Sequence, residues 1–112
     1  LENIMNDPVV IVGAARTPLA AFQGDFSSLS ANELGAVAIR AAVERAGLEP
    51  VQVEDVFMGN VLTAGQGQAP ARQAAIKAGI PVSAGAITIN KVCGSGMQAV
   101  MFAHDSNLAG NG

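Results

Sequence analysis

One cysteine and one histidine are the residues of this chain best suited to bond-making chemistry, and their spacing keeps them apart. Cys93 lies in Ile87-Thr88-Ile89-Asn90-Lys91-Val92-Cys93-Gly94-Ser95-Gly96-Met97, between a β-branched run and a helix-like run. A thiolate rather than a thiol is the nucleophile, and a helix N-terminus favours the anion. Gly94, Ser95 and Gly96 are poor helix-interior residues. Their use in a first turn makes sense if backbone must come close to something there. Free N–H groups at a helix start accept anions. Donors aimed at a developing oxyanion supply much of acyl-transfer catalysis. Cys93 therefore reads as an acyl-accepting nucleophile, against the alternative of a small buried hydrophobe.

A nucleophile needs a base within about 3 Å or one water away. His104 follows Cys93 by eleven residues, roughly 16 Å along one helix at about 1.5 Å per residue. It reads as a polar residue near a helix C-terminus, beside Asp105, and Asp105 fails as a base on the same distance. If Cys93 is catalytic, its base comes from polypeptide outside these residues. No metal-ligand cluster is present, because one Cys and one His are too few and too badly spaced.

The same glycines allow a rival reading. Gly94-Ser95-Gly96-Met97-Gln98-Ala99 fits G-x-G-x-x-G/A after a strand, the dinucleotide-binding pattern. That fingerprint belongs to the first strand of its unit, whereas here it follows the third. Gly65-Gln66-Gly67-Gln68 lacks the Lys-Ser/Thr ending of a phosphate loop and reads as the loop before a helix. Arg72 and Lys77 read as solvated, and Met97 and Met101 as core residues at helical spacing.

Three strand-then-helix units position these residues. Val9-Val10-Ile11-Val12 is an unbroken β-branched run ending at Gly13, which predicts a strand buried on both faces. A long connection follows to Ser28. Ser30 and Glu33 form a capping-box pair, and the helix runs to about Ala46 with Gly47 as its stop. Leu34, Ala38, Ala41 and Ala42 share one face of it, and Glu33, Arg40 and Glu44 mark the wet one. Val53 to Met58 is the second strand, and Pro70 opens a second helix that Gly79 ends. Gly85 to Asn90 is the third strand, and the third helix spans about Gly94 to Ala109 with Gly110 as its stop. This order predicts an α/β layered domain with parallel strands and right-handed crossovers. The last helix has no following strand beside it, so the sequence reads as cut short.

Composition narrows the function classes. The chain has 112 residues, half of them apolar and 13% charged, which argues for a packed core and against disorder. A net charge of −3 provides no basic footprint for nucleic acid, and no apolar run reaches the roughly 18 residues of a membrane span. A single cysteine excludes an internal disulfide and suits a reducing compartment. Leu1 to Asn6 lacks the charged and apolar regions of a secretory signal. Residues 1–8 read as an N-terminal extension or tag remnant, with Met5 as a natural start. A cytoplasmic location is the expectation.

Four blocks together resemble the N-terminal part of a thiolase, of the acetyl-CoA acetyltransferase kind. They are Val9-Val10-Ile11-Val12-Gly13-Ala14-Ala15-Arg16-Thr17-Pro18, Glu33-Leu34-Gly35, Gly67-Gln68-Ala69-Pro70-Ala71-Arg72-Gln73-Ala74-Ala75, and Asn90 through Val100 around Cys93. The resemblance implies that residues 9–112 are the first part of a thiolase N-terminal domain, in a fold of two similar α/β halves. It implies that Cys93 takes an acyl group from acyl-CoA, with its own backbone N–H in the oxyanion hole. A second acetyl-CoA, deprotonated, then attacks the thioester to give a 3-ketoacyl-CoA, or the reverse thiolysis occurs. Coenzyme A thioesters are substrates there, and no cofactor is implied. The partners implied are the remaining thiolase polypeptide and further copies in a dimer or tetramer, with the strand before the nucleophile near the dimer contact.

The family's Gly-His-Pro histidine, its Cys-x-Gly cysteine and its Asn-Glu-Ala-Phe segment are not in these residues, and Ala20 stands where a glycine is common. The fragment alone is expected to be inactive. A β-ketoacyl synthase relationship is disfavoured by the Asn90-to-Val100 block. A non-catalytic dinucleotide-binding or oligomerisation domain stays open as the alternative.

Overall fold

The computed structural model describes residues 6–111; Met5 and the residues before it, read above as part of an extension, lie outside that range. Helix α1 spans Ala31–Arg45, a 3-10 turn covers Pro50–Gln52, and strand β1 runs Asp55–Gly59. Helix α2 spans Pro70–Lys77, strand β2 Gly85–Ile89, and helix α3 Ser95–Leu108. The strands pair in parallel, Asp55 opposite Gly85 and Gly59 opposite Ile89. Asn60 extends the ladder by donating its N–H to the Ile89 carbonyl at 2.9 Å.

Helix boundaries follow local chemistry. The Ser30 Oγ accepts the Glu33 N–H at 3.1 Å, an N-cap bond. At the other end Gly47 takes φ +70, its N–H bonds the Glu44 carbonyl, and the Leu48 N–H bonds the Val43 carbonyl. This is a Schellman stop. Gly79 and Gly110, at φ +89 and +80, end α2 and α3 with the same bond pair. Helix α2 has no side-chain cap of its own at Ala69. Its Ala71 N–H is taken instead by the Thr88 Oγ1 of β2 at 3.0 Å, so the sheet itself caps the helix.

The core is small-residue packing between α1, α2 and one face of β1. Ala36, Val56, Ala75, Ala78, Ile80 and Ala84 form it, with Ile39, Val43 and Met58 packed against them. Alanines let the helices approach: a Cβ on Gly35 would lie 3.3 Å from the Ala74 Cβ. Strand alternation sends Val56 and Met58 to this face and Phe57 and Gly59 toward α3. Helix α3 buries Ser95 and Ala99, making the second cover of the sheet. The α/β architecture with parallel strands matches the expectation.

Three expectations are corrected. Val9 to Val12 does not form a strand: it pairs with no neighbour among the described residues, and Val10, Ile11 and Val12 are 70, 81 and 62% exposed. A β-branched run favours extended backbone, but a strand also needs a hydrogen-bonded neighbour. The segment is instead pinned against α1, where a Cβ on Gly13 would sit 2.6 Å from the Ala42 carbonyl oxygen. An Arg45 guanidinium also donates to the Ala14 carbonyl at 2.9 Å. On α1 the core-facing residues are Ala36, with Ile39 and Val43 packed against the cluster; Leu34, Ala38, Ala41 and Ala42, half-buried like Ile39 and Val43, are not part of it. Met97 and Met101 are exposed, because the face of α3 that meets the sheet carries Ser95 and Ala99 instead.

Candidate active site

The turn carrying Cys93 joins β2 to α3. The Gly94 N–H donates to the Lys91 carbonyl at 3.1 Å, which closes a four-residue turn with Val92 and Cys93 at its centre. Val92 takes φ +49, a conformation costly for a β-branched residue. Two side chains hold it there. The Asn90 Oδ1 accepts the Val92 N–H at 3.0 Å. The Ser95 Oγ donates to the Val92 carbonyl at 2.7 Å and accepts the Lys91 N–H at 2.8 Å. Ser95 is 4% exposed and fully bonded, whereas Cys93 is exposed. The thiol thus sits on the outside of a turn whose inside is locked.

Gly94 is the N-cap and Ser95 the first helical residue. Cys93 therefore stands one residue before the N-cap of α3, not in its first turn. The first amides of α3 have no intrahelical acceptors and follow Cys93 closely in the chain. The glycine that a close backbone approach requires is not among those after Cys93. A Cβ on Gly96 would meet nothing within 4 Å, whereas one on Gly59 would lie 2.7 Å from the Ser95 carbonyl carbon. The end of β1 therefore supports the start of α3.

Residue spacing does not single out Asn90 or Ser95, although short polar residues flanking a tight turn commonly bond local backbone. Lys91 reaches along α3 and donates from Nζ to the Gln98 Oε1 at 3.1 Å. The Gly65–Gln68 stretch is a loop, as expected. Gln73 anchors it through Nε2 bonds to the Gln66 and Gln68 carbonyls at 2.9 and 2.7 Å. The buried Asn32 in turn donates to the Gln73 Oε1 at 2.7 Å. Lys77 is exposed, as expected. Arg72 is not solvated: it is partly buried and donates to the Ala84 carbonyl at 2.7 Å, tying α2 to the start of β2.

His104 does not join Cys93. Its Nδ1 meets the Asp105 carboxylate at 3.0 Å and its Nε2 meets Asp7 at 2.5 Å. Bonds to Asp105 and then Asp7 hold its pKa above the usual histidine value. The bond to His104, and then the Val9 N–H, hold Asp7 below the usual carboxylate value. Asp7, distant in sequence, had no signal linking it to His104. Among the described residues no group of three or more His, Cys, Asp or Glu is placed to hold a metal ion, and no helix is long and apolar enough to cross a membrane.

Comparison with known proteins agrees with this architecture. The chain is 61% identical over 103 residues to an acetyl-CoA acetyltransferase of Cupriavidus necator, covering 92% of this chain and 26% of that protein. It is 52% identical to the human mitochondrial acetyl-CoA acetyltransferase, covering 92% of this chain and 24% of that one. In structure it superposes on the Acat5 thiolase of Ascaris suum in complex with coenzyme A with a TM-score of 0.88 at 42% identity, over 90% of this chain and 26% of that one. An acetyl-CoA acetyltransferase of Syntrophomonas wolfei matches with a TM-score of 0.85 at 38% identity, with the same coverage. The chain spans about a quarter of the length of these relatives. Residues 9–112 match the family described as Thiolase, N-terminal domain, and the chain belongs to the thiolase family.

Proposed function

We propose that this chain supplies the acyl-accepting thiol of a thiolase, and that the general base comes from further thiolase polypeptide. One observation carries the reading: the only cysteine is exposed on a braced turn at the start of α3. The Cys93 sulfur attacks the carbonyl carbon of an acyl-CoA. The oxygen becomes an oxyanion facing the Cys93 backbone N–H. The carbon–sulfur bond to coenzyme A breaks, and coenzyme A leaves with the proton that the base took from Cys93. A second acetyl-CoA gives an α-proton to a base of the further polypeptide, its carbanion attacks the Cys93 thioester carbonyl, the bond to the Cys93 sulfur breaks, and the 3-ketoacyl-CoA departs while that proton returns to the Cys93 thiolate. Thiolysis runs these steps backwards.

Coenzyme A thioesters are the substrates in this reading, and no separate cofactor enters it. The coenzyme A complex of the Ascaris suum relative supports that substrate class. Exposed apolar residues support cover by other polypeptide: Val10 to Val12 on one side, and Met97, Val100, Met101 and Phe102 on α3. That cover is the rest of a thiolase chain and a second copy, in a dimer or tetramer. A reducing compartment such as the cytoplasm suits a free exposed thiol.

The test exchanges the matching quarter of the Cupriavidus necator acetyl-CoA acetyltransferase for this chain. Coenzyme A-dependent cleavage of a 3-ketoacyl-CoA is then measured with and without Cys93→Ala. Activity in the exchanged protein and a loss of at least about a thousandfold in the variant are expected. Full activity after Cys93→Ala sinks the assignment.

A further inference from the structure

We propose that Ser95 is a positioning residue for acyl transfer, acting through Val92 to aim the Cys93 backbone N–H. The inference rests on the reading of Cys93 as the acyl acceptor. The peptide between Val92 and Cys93 is trans and planar, so its carbonyl and its N–H point in opposite directions. The Ser95 hydroxyl, buried at 4% exposure, donates to that carbonyl at 2.7 Å. With that carbonyl held by the buried Ser95, the Cys93 N–H is directed the opposite way, away from Ser95.

The hold is needed because Val92 sits at φ +49, where an L residue, and a β-branched one most of all, does not rest by itself. The Asn90 Oδ1 fixes the other side of Val92 by accepting its N–H. Gly59 supports the first turn from below, with room for no side chain against Ser95 and Gly96. Ser95 thus converts a disfavoured backbone state into a fixed donor direction.

Because the base lies in further thiolase polypeptide, the test uses the Cupriavidus necator acetyl-CoA acetyltransferase with its matching quarter exchanged for this chain. Cys93 is modified with acetyl-CoA and, separately, with iodoacetamide, and the rate of each is followed by mass. Thioester exchange develops a carbonyl oxyanion, whereas displacement of iodide does not. Ser95→Ala is expected to slow acetylation about tenfold, the size of a left-handed penalty for one residue, and to slow alkylation less than about threefold. Val92→Gly removes that penalty. In a Val92→Gly background, therefore, Ser95→Ala is expected to slow acetylation less than about threefold.

Equal slowing of both reactions by Ser95→Ala, no slowing of either, or the same loss in the glycine background overturns the proposal. If Ser95→Ala alone does not fold by circular dichroism, the double variant decides: folded and acetylated supports the role, unfolded refutes it. An exchanged protein with Val92 and Ser95 intact that is alkylated but never acetylated at Cys93 overturns the acyl-acceptor reading instead, and this inference with it.

Discussion

Gly59, the last residue of β1, and Ser95, the first of α3, touch backbone to backbone: a Cβ on Gly59 would lie 2.9 Å from the Ser95 Cβ and 2.8 Å from the Gly96 nitrogen. The cysteine-bearing turn is therefore seated on the neighbouring strand. Gly59→Ala must push α3 away, since the obstructing atoms include backbone that cannot rotate aside. We expect a loss of about 1–3 kcal/mol of stability, the range of overpacked sites, together with altered iodoacetamide reactivity at Cys93. Denaturant unfolding and labelling kinetics check both. An unchanged midpoint would show that the strand end is free to yield.

The ends of α1 are set by one hydroxyl and one glycine. Ser30→Ala removes the acceptor of the Glu33 N–H and should cost about 1 kcal/mol. Gly47→Ala forces a side chain into φ +70 and should cost about 1–2 kcal/mol, although nothing lies within 4 Å of the added carbon. The second loss is conformational and not steric. Gly47→Asn should consequently recover part of it, whereas a packing defect would not be relieved by a larger residue.

His104 ties α3 to the segment before residue 9 through Asp7. Its pKa is raised on folding, so its contribution to stability is complete below the unfolded histidine value and is lost as pH rises through the raised one. Asp7 is lowered, so its contribution is present above the unfolded carboxylate value and is lost as pH falls through the lowered one. The tie is thus strongest between about pH 4 and pH 6.5. His104→Gln should flatten the pH dependence of the melting temperature at both margins of that window. Because the pair is near the surface, salt should weaken the effect. A pH profile identical to wild type would assign the dependence to other groups.

Gln73 gathers the loop of residues 61–69 onto α2 by donating to two of its carbonyls. Gln73→Ala should release that loop while leaving the helix cap at Thr88 intact. The expected outcome is faster limited proteolysis within residues 61–69, with global unfolding shifted by about 1–2 kcal/mol for the lost bonds. Cleavage at an unchanged rate would mean that the Asn60 to Gln66 bond at 2.6 Å suffices.

Local chemistry was legible in the order of residues. Ser30, Pro70 and the glycines at 47, 79 and 110 mark helix ends because caps and stops depend on a few adjacent backbone groups. The parallel β1–β2 pair and the place of Cys93 between strand and helix follow from the same short-range signals. Whether an apolar residue is covered is another kind of question. Val10 to Val12, Met97 and Met101 carry the composition of a core, yet they are exposed, because nothing among the described residues covers their side chains. Arg72 is the converse case: a charged residue is drawn in because a carbonyl twelve residues away, at Ala84, receives it.

By itself the sequence determined the α/β order, the helix limits, the single thiol and the distance that separates it from the only histidine, since all of these rest on neighbours along the chain. Only the tertiary structure decided that Gly59 seats the cysteine turn, that Ser95 and Asn90 clamp Val92 in a left-handed conformation, and that Asp7 holds His104. Those relations depend on directions in space. Hydrogen bonds and close contacts form between groups that folding brings together, and residue spacing carries no record of where a carbonyl points.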